Sequence, residues 1–362
     1  MNHDTPRTPS QVSPASPLAP RPLGQLDATR RRVLTAGQLR AHGVSTAEVN
    51  EQCRGGGAWR QLLPGVYLLH PGPPTSEERL HAVLMYASRE PVPAVPAQPG
   101  AGQGAQPAAV YSEVMITGLA ALNLHGFGSA PPLLSLEHLD VLVSRTRRLR
   151  STGSARIVRA AALPTPQQRT GLPVAPVPRA LADAVAQASD AALVRRLLTE
   201  AVRGGYCEPG AVVRELNQAK LLDRPHVVDA VDSLLAEGRA VAEERLYRMV
   251  REAGLPDPLW NVDLRLPGGP HLGGIDAFWP DQSVAVELDT RAPRQGDPAD
   301  EDALWSEYAR KREHLERLGI TVVHITPRKL RDAVEQQATV VRTALMTAGE
   351  REPAAYVVVL PR

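Results

Sequence analysis

Cysteine is almost missing from this chain. Cys53 and Cys207 are its only two in 362 residues, and two distant thiols make neither a disulfide framework nor the paired ligand spacing of a zinc site. Lysine is also scarce, at three residues, so the basic charge is carried by arginine. Together with abundant Ala and Pro this resembles the composition that a high-GC bacterial genome gives. Net charge is only +2, which rules out a global electrostatic attraction to nucleic acid and leaves only local patches. Aromatics make up 4%. Trp59, Trp260, Trp279 and Trp305 are scattered and form no ladder for successive bases. No run of 18 or more apolar residues is present, which excludes a membrane-spanning helix. Residues 1–24 are polar and proline-rich without a charged-then-apolar signal pattern, so the expected compartment is the cytoplasm. Gly55-Gly56-Gly57 and Gly268-Gly269 are not followed by Lys-Ser/Thr, so neither is a phosphate loop.

What is present divides into stretches of different character. At 362 residues and 43% hydrophobic content the chain can support two or three buried cores. Residues 1–28 and 91–109 are rich in Pro, Ala, Gly and Gln and lack periodicity, which predicts a disordered tail and a disordered linker. Between them lies a compact segment, 29–90. A mixed α/β and then helical middle region is expected over 110–239, and a further α/β domain over 240–362.

The strongest chemical signal is in that last domain. Val284, Val286 and Leu288 alternate on one face of a predicted strand, which puts Glu287 and Asp289 on the other. Asp276 lies on the preceding strand, across Trp279-Pro280-Asp281-Gln282. A two-residue loop at Asp281-Gln282 pairs Pro280 with Ser283 and sets Asp276 opposite Glu287. Two ionised carboxylates roughly 5 Å apart repel by about 3 kcal/mol at an effective dielectric of about 20, so a divalent cation, a shared proton or a basic side chain must compensate. Oxygen-only ligands suit Mg2+ or Mn2+. A helix over Ala240–Ala253 carries the stripe Leu246, Met249, Val250 and Ala253, with Glu243 beside it as a further carboxylate. A later helix places Lys311 on its apolar stripe with Leu304, Tyr308, Leu315 and Leu318, flanked by Arg310 and Arg312. A lysine there calls for a nearby anion. Ile320–Ile325 reads as a buried strand, Pro327 opens a last amphipathic helix, and Ala355–Leu360 reads as an extra strand.

The order helix, strand, hairpin, helix, strand, helix over Ala240 to about Leu345 resembles the restriction-endonuclease-like core of the PD-(D/E)xK nucleases, most closely their very-short-patch-repair-like branch. The resemblance implies that Asp276, Glu287 and Glu243 hold Mg2+ or Mn2+, that Asp289 joins them at the catalytic site, and that Lys311 stabilises charge at the phosphate of DNA. The chain departs from the pattern where a nuclease shows lysine after the Glu287-Leu288 step: it has Asp289. Activity and an inactive nuclease-like fold are both compatible with that change.

In the N-terminal segment, helices over Thr35–Ala41 and Ser45–Cys53, the second with Glu48 at capping-box spacing, precede a hairpin over Trp59–Leu63 and Gly65–Leu69. This is the skeleton of a winged helix. The phrase Arg60-Gln61-Leu62-Leu63-Pro64-Gly65-Val66-Tyr67 resembles the N-terminal domain of abortive-infection type IV antitoxins. The stretches Met115–Gly126 and Gly171–Asp183 are similar to the middle region of actinobacterial proteins of that architecture. That likeness implies a transcriptional repressor with a cognate toxin as partner. Asn50 and Gln52 are the only base-reading side chains on the second helix, while Arg31, Arg32, Arg54 and Arg60 could hold phosphates. The acid-free segment 144–159 adds Arg145, Arg147 and Arg148 to the nucleic-acid-binding candidates, with Arg310 further on. The sequence therefore leaves three readings: a Mg-dependent endonuclease-like protein on DNA, a non-enzymatic DNA-binding regulator, and a protein-partner-binding module.

Overall fold

A computed structural model describes residues 32–88, 111, 113–290, 309–348 and 356–362. The expected tail 1–28, the linker 91–109 and Arg31 lie outside the described residues. The chain is mixed α/β and forms two compact units, one from residues up to 115 with 137–163, the other from 116–136 with 164–362. None of the described helices is long and apolar enough to cross a membrane.

The first unit begins with a short strand that the sequence does not predict, β1 (Val33–Thr35), which runs directly into α1 (Ala36–Ala41) through the Thr35 cap. Helix α2 (Thr46–Gln52) starts at Ser45, whose Oγ accepts from Glu48 N at 3.2 Å while the Glu48 carboxylate accepts from Ser45 N at 2.8 Å. The reciprocal pair satisfies two otherwise orphaned amides. The hairpin β2 (Arg60–Leu63) and β3 (Val66–Leu68) follows, and β1 completes an antiparallel sheet in the order β1-β3-β2. Leu34, Leu39 and Val49 form its small core against Trp59 and Tyr67. Helix α3 (Ser76–Ala87) buries Leu80, Val83 and Leu84. The chain leaves along β4 (Val114–Thr117) and returns for the parallel pair β5 (Leu139–Ser144) and β6 (Ala155–Ala160).

In the second unit come α4 (Gly118–Leu124), the antiparallel β7 (Gln167–Arg169) and β8 (Leu172–Val174), then α5 (Val177–Gln187), α6 (Ala191–Arg203), α7 (Pro209–Gln218) and α8 (Pro225–Glu252). Asp183 on α5 is bonded twice by Arg179, one turn earlier, and again by Thr117 Oγ1 at 2.6 Å. Helix α8 differs from expectation. The sequence predicts a helix starting at Ala240, but α8 is continuous for 28 residues, with α6 and α7 packed along its first half.

Beyond α8 lie β9 (Leu259–Arg265), β10 (His271–Trp279), β11 (Val284–Leu288), helix α9 over 309–317, β12 (Thr321–Ile325), α10 (Pro327–Asp332), α11 (Val334–Ala348) and β13 (Val358–Pro361). The sheet order is β12-β11-β10-β9-β13. Only β11 and β12 pair in parallel, and β13 lies at an edge. One face packs Ala277, Trp279, Val284, Val286 and Leu288 against α8, α10 and α11. The other packs Ile275, Phe278, Ala285 and Val322 against Leu315 of α9.

Candidate functional site

The β10–β11 turn behaves as a two-residue loop. Ser283 N donates to Pro280 O at 3.2 Å, and the ladder runs Trp279↔Val284, Phe278↔Ala285, Ala277↔Val286. The next step in that register sets Asp276 against Glu287. There the ladder gives way: Leu288 N donates instead to the Asp276 carboxylate at 2.7 Å. Both acids are buried, at 7% and 6% exposure. Uncompensated, each would cost several kcal/mol.

The compensation comes from opposite faces of the sheet. Residues two apart on a regular strand share a face, yet Ile275 belongs to the α9 side and Ala277 to the α8 side. Strand β10 thus rolls over at Asp276, beside Asn261 of β9, whose φ is +49°. The roll turns Asp276 toward α8, where Arg239 Nη2 donates to it at 2.5 Å while Arg239 Nε lies 2.7 Å from Glu243. Glu287 faces α9. Lys311 Nζ bonds Glu287 Oε1 and donates to Gly274 O at 2.9 Å, and His324 Nδ1 of the parallel neighbour β12 lies 3.4 Å from Glu287 Oε2. Lys311 reaches this position across Gly273, where a Cβ would stand 2.6 Å from its Cε.

The site residues expected from sequence are therefore gathered at one end of the β10–β11 ladder, but not around a single point. Asp276 and Glu243 share Arg239. Glu287 is held by Lys311. Asp289 follows β11, half-buried, with its amide donating to Ile325 O at 3.0 Å and its carboxylate without a partner among the described residues. No group of three or more His, Cys, Asp or Glu side chains stands in a metal-ligand arrangement among the described residues. Two partners are not foreseen from the sequence. Arg239 sits one residue before the expected domain start, and His324 reads as a core histidine because its neighbours Val322, Val323 and Ile325 are apolar. The parallel pairing Glu287↔His324 could have exposed it.

In the first unit, Arg32 is exposed and 3.8 Å from Glu78, Arg54 is exposed, and Arg60 donates to Gly72 O at 3.3 Å. The arginines of 144–159 divide. Arg156 makes a two-point bond to the buried Asp140, including 2.8 Å from Nη2 to Oδ2; that carboxylate and hydrogen bond push its guanidinium pKa up. Arg147 bonds Ala87 O, and Arg159 bonds the carbonyls of Arg147 and Leu149. Arg145, Arg148 and Arg150 point outward, with no side-chain partner among the described residues. Arg310 on α9 is exposed.

His125 is a satisfied core histidine. Its Nε2 lies 2.8 Å from Ala175 O, and burial, opposed by that bond, pushes its pKa down. Both cysteines are free, and burial pushes the Cys207 thiol up to about 12, so it is unreactive at neutral pH. The chain matches no family model, and no curated protein matches it.

Proposed function

We propose that the protein acts on DNA, the second unit as a nuclease-like domain that hydrolyses phosphodiesters at the Asp276–Glu287 site and the first as a winged-helix-like DNA-binding element. The succession α8, β9, β10, β11, α9, β12, with acids on the first helix and on β10 and β11, supports the restriction-endonuclease-like reading of this region. The observation that carries the proposal is a charge count. Glu243, Asp276, Glu287 and Asp289 are four carboxylates, and Arg239 and Lys311 are two basic side chains bonded to the first three; counting one charge on each, four less two leaves a formal surplus of two negative charges. One Mg2+ or Mn2+ balances that surplus, and oxygen-only donors are those a hard dication takes. Such a cation supplies activation of water and neutralisation of phosphate charge.

Asp276, beside Glu243 on the α8 side, and Glu287, on the α9 side, are the residues that would hold it. To share one cation they would have to leave Arg239 and Lys311 and turn toward each other at the end of the ladder, with Asp289 alongside. Lys311 and Arg239 are partly exposed at 23% and 38%, so each can release its carboxylate and turn to the phosphate. The test is nicking of supercoiled plasmid by the full chain with Mg2+ or Mn2+. Wild type should exceed Asp276→Ala and Glu287→Ala by about 100-fold or more, the usual scale for removing a charged group from a catalytic site, and EDTA should abolish the difference. Equal rates in wild type and variants end the hydrolytic proposal.

A second reading, a non-enzymatic antitoxin-type regulator with a cognate toxin as partner, is favoured by one observation. Both oxygens of Asp276 and of Glu287 are already engaged, by Arg239, Leu288 N, Lys311 and His324. Tight duplex binding in EDTA without nicking in metal is the outcome that selects it.

A further inference from the structure

Helical spacing of four residues lines up Arg239, Glu243, Tyr247 and Arg251 along one row of α8. The first two belong to the acidic site. The third does not: Tyr247 is 51% exposed, and its ring stands 5.4 Å from that of Trp260 at an interplanar angle of 49°. Trp260 pairs with Ala277 in the β9–β10 ladder, one position from Asp276. The fourth, Arg251, is exposed and without a side-chain partner among the described residues. An aromatic pair thus begins ~12 Å along the helix from Arg239, with an unengaged guanidinium ~6 Å further on.

We infer that this row is a track for single-stranded DNA leading to the acidic site, with an unpaired base stacked on Tyr247 and Trp260 and the adjoining phosphate held by Arg251. The aromatic faces select the strand. Bases in a duplex have both faces covered by their neighbours, whereas an unpaired base offers a face to an exposed ring. The charges along the row fit a polyanion once Glu243 is answered by Arg239, as it is here. Beside the row, Arg248 is paired with Glu244 at 2.6 Å, which leaves Arg251 to hold the phosphate.

The inference rests on the second unit acting on DNA, but its test needs no hydrolysis. A labelled oligothymidylate and a duplex of the same length are titrated with full-length protein in EDTA. Tyr247→Ala should weaken single-strand binding about tenfold, the effect of losing one stacked base, with the duplex little changed. Tyr247→Phe should keep wild-type affinity, and Arg251→Ala should reduce the salt slope by about 1. Thermal melting checks that the half-exposed Tyr247 can be removed without unfolding. The proposal is overturned if wild type fails to bind the single strand, if Tyr247→Ala binds it as wild type does, or if single strand and duplex lose affinity equally. A protein that stacks the strand but nicks nothing refutes only the hydrolytic reading. One that nicks but is indifferent to Tyr247→Ala refutes only the track.

Discussion

Gly273 holds a backbone φ of +112°, where an L side chain is strained, and it leaves the space through which Lys311 passes to Glu287. Alanine there combines a backbone penalty of about 1–3 kcal/mol with a methyl 2.6 Å from Lys311 Cε. Gly273→Ala should lower the melting temperature, and the drop should be smaller in a Lys311→Ala background, where the clash is gone, although Lys311→Ala by itself destabilises by leaving the buried Glu287 carboxylate without its cation. A Gly273→Ala protein that melts like wild type contradicts the arrangement. At this scale the sequence is legible wherever alternation and turn length are sufficient. The Asp281-Gln282 loop sets the Asp276–Glu287 register, and Ser45 with Glu48 marks a helix start. Which cation meets which acid is not legible. That depends on β10 changing face at Asp276, opposite the left-handed Asn261 on a different strand, and no periodicity within one segment reports it.

The same limit governs elements. Strand β1 is three residues long and continuous with α1, too short to show a period, and it forms because β3 offers it a partner. Helix α8 reads in sequence as two helices because its middle contains Gly238 and its buried face shifts partners, from α6 and α7 to the sheet that contains β10 and β11. Gly238 marks that handover, since a Cβ there would lie 2.5 Å from Pro209 Cγ at the start of α7. Glycine to alanine within a helix ordinarily stabilises by up to about 1 kcal/mol. Gly238→Ala should instead destabilise by about 1–3 kcal/mol, the scale of overpacking against a rigid ring. Pro209→Ala should cancel most of that loss. Denaturant melts of the two single variants and the double variant measure the coupling, and a Gly238→Ala chain more stable than wild type would show that α7 yields to α8.

For the whole molecule the near-neutral charge of +2 is the decisive quantity, because nothing global draws it to a polyanion and any salt-dependent affinity must come from local cations. The arginines of 144–159 look equivalent in sequence; in the folded first unit they are not. Arg156 neutralises the buried Asp140, and Arg147 and Arg159 tie the connection between β5 and β6 to backbone carbonyls, so these three build the loop. Arg145, Arg148 and Arg150 are what the loop displays. Replacing the displayed three with alanine should leave the melting temperature unchanged while lowering the slope of log affinity for duplex DNA against log salt by about 2.7, roughly 0.9 for each phosphate no longer neutralised. Arg156→Ala should do the reverse. It strands a buried carboxylate and destabilises by about 3 kcal/mol, with affinity per folded molecule preserved. If the triple variant keeps the wild-type slope, this loop does not touch DNA, and the proposed duplex binding by the first unit would have to rest on the cations around α2 and the β2–β3 hairpin.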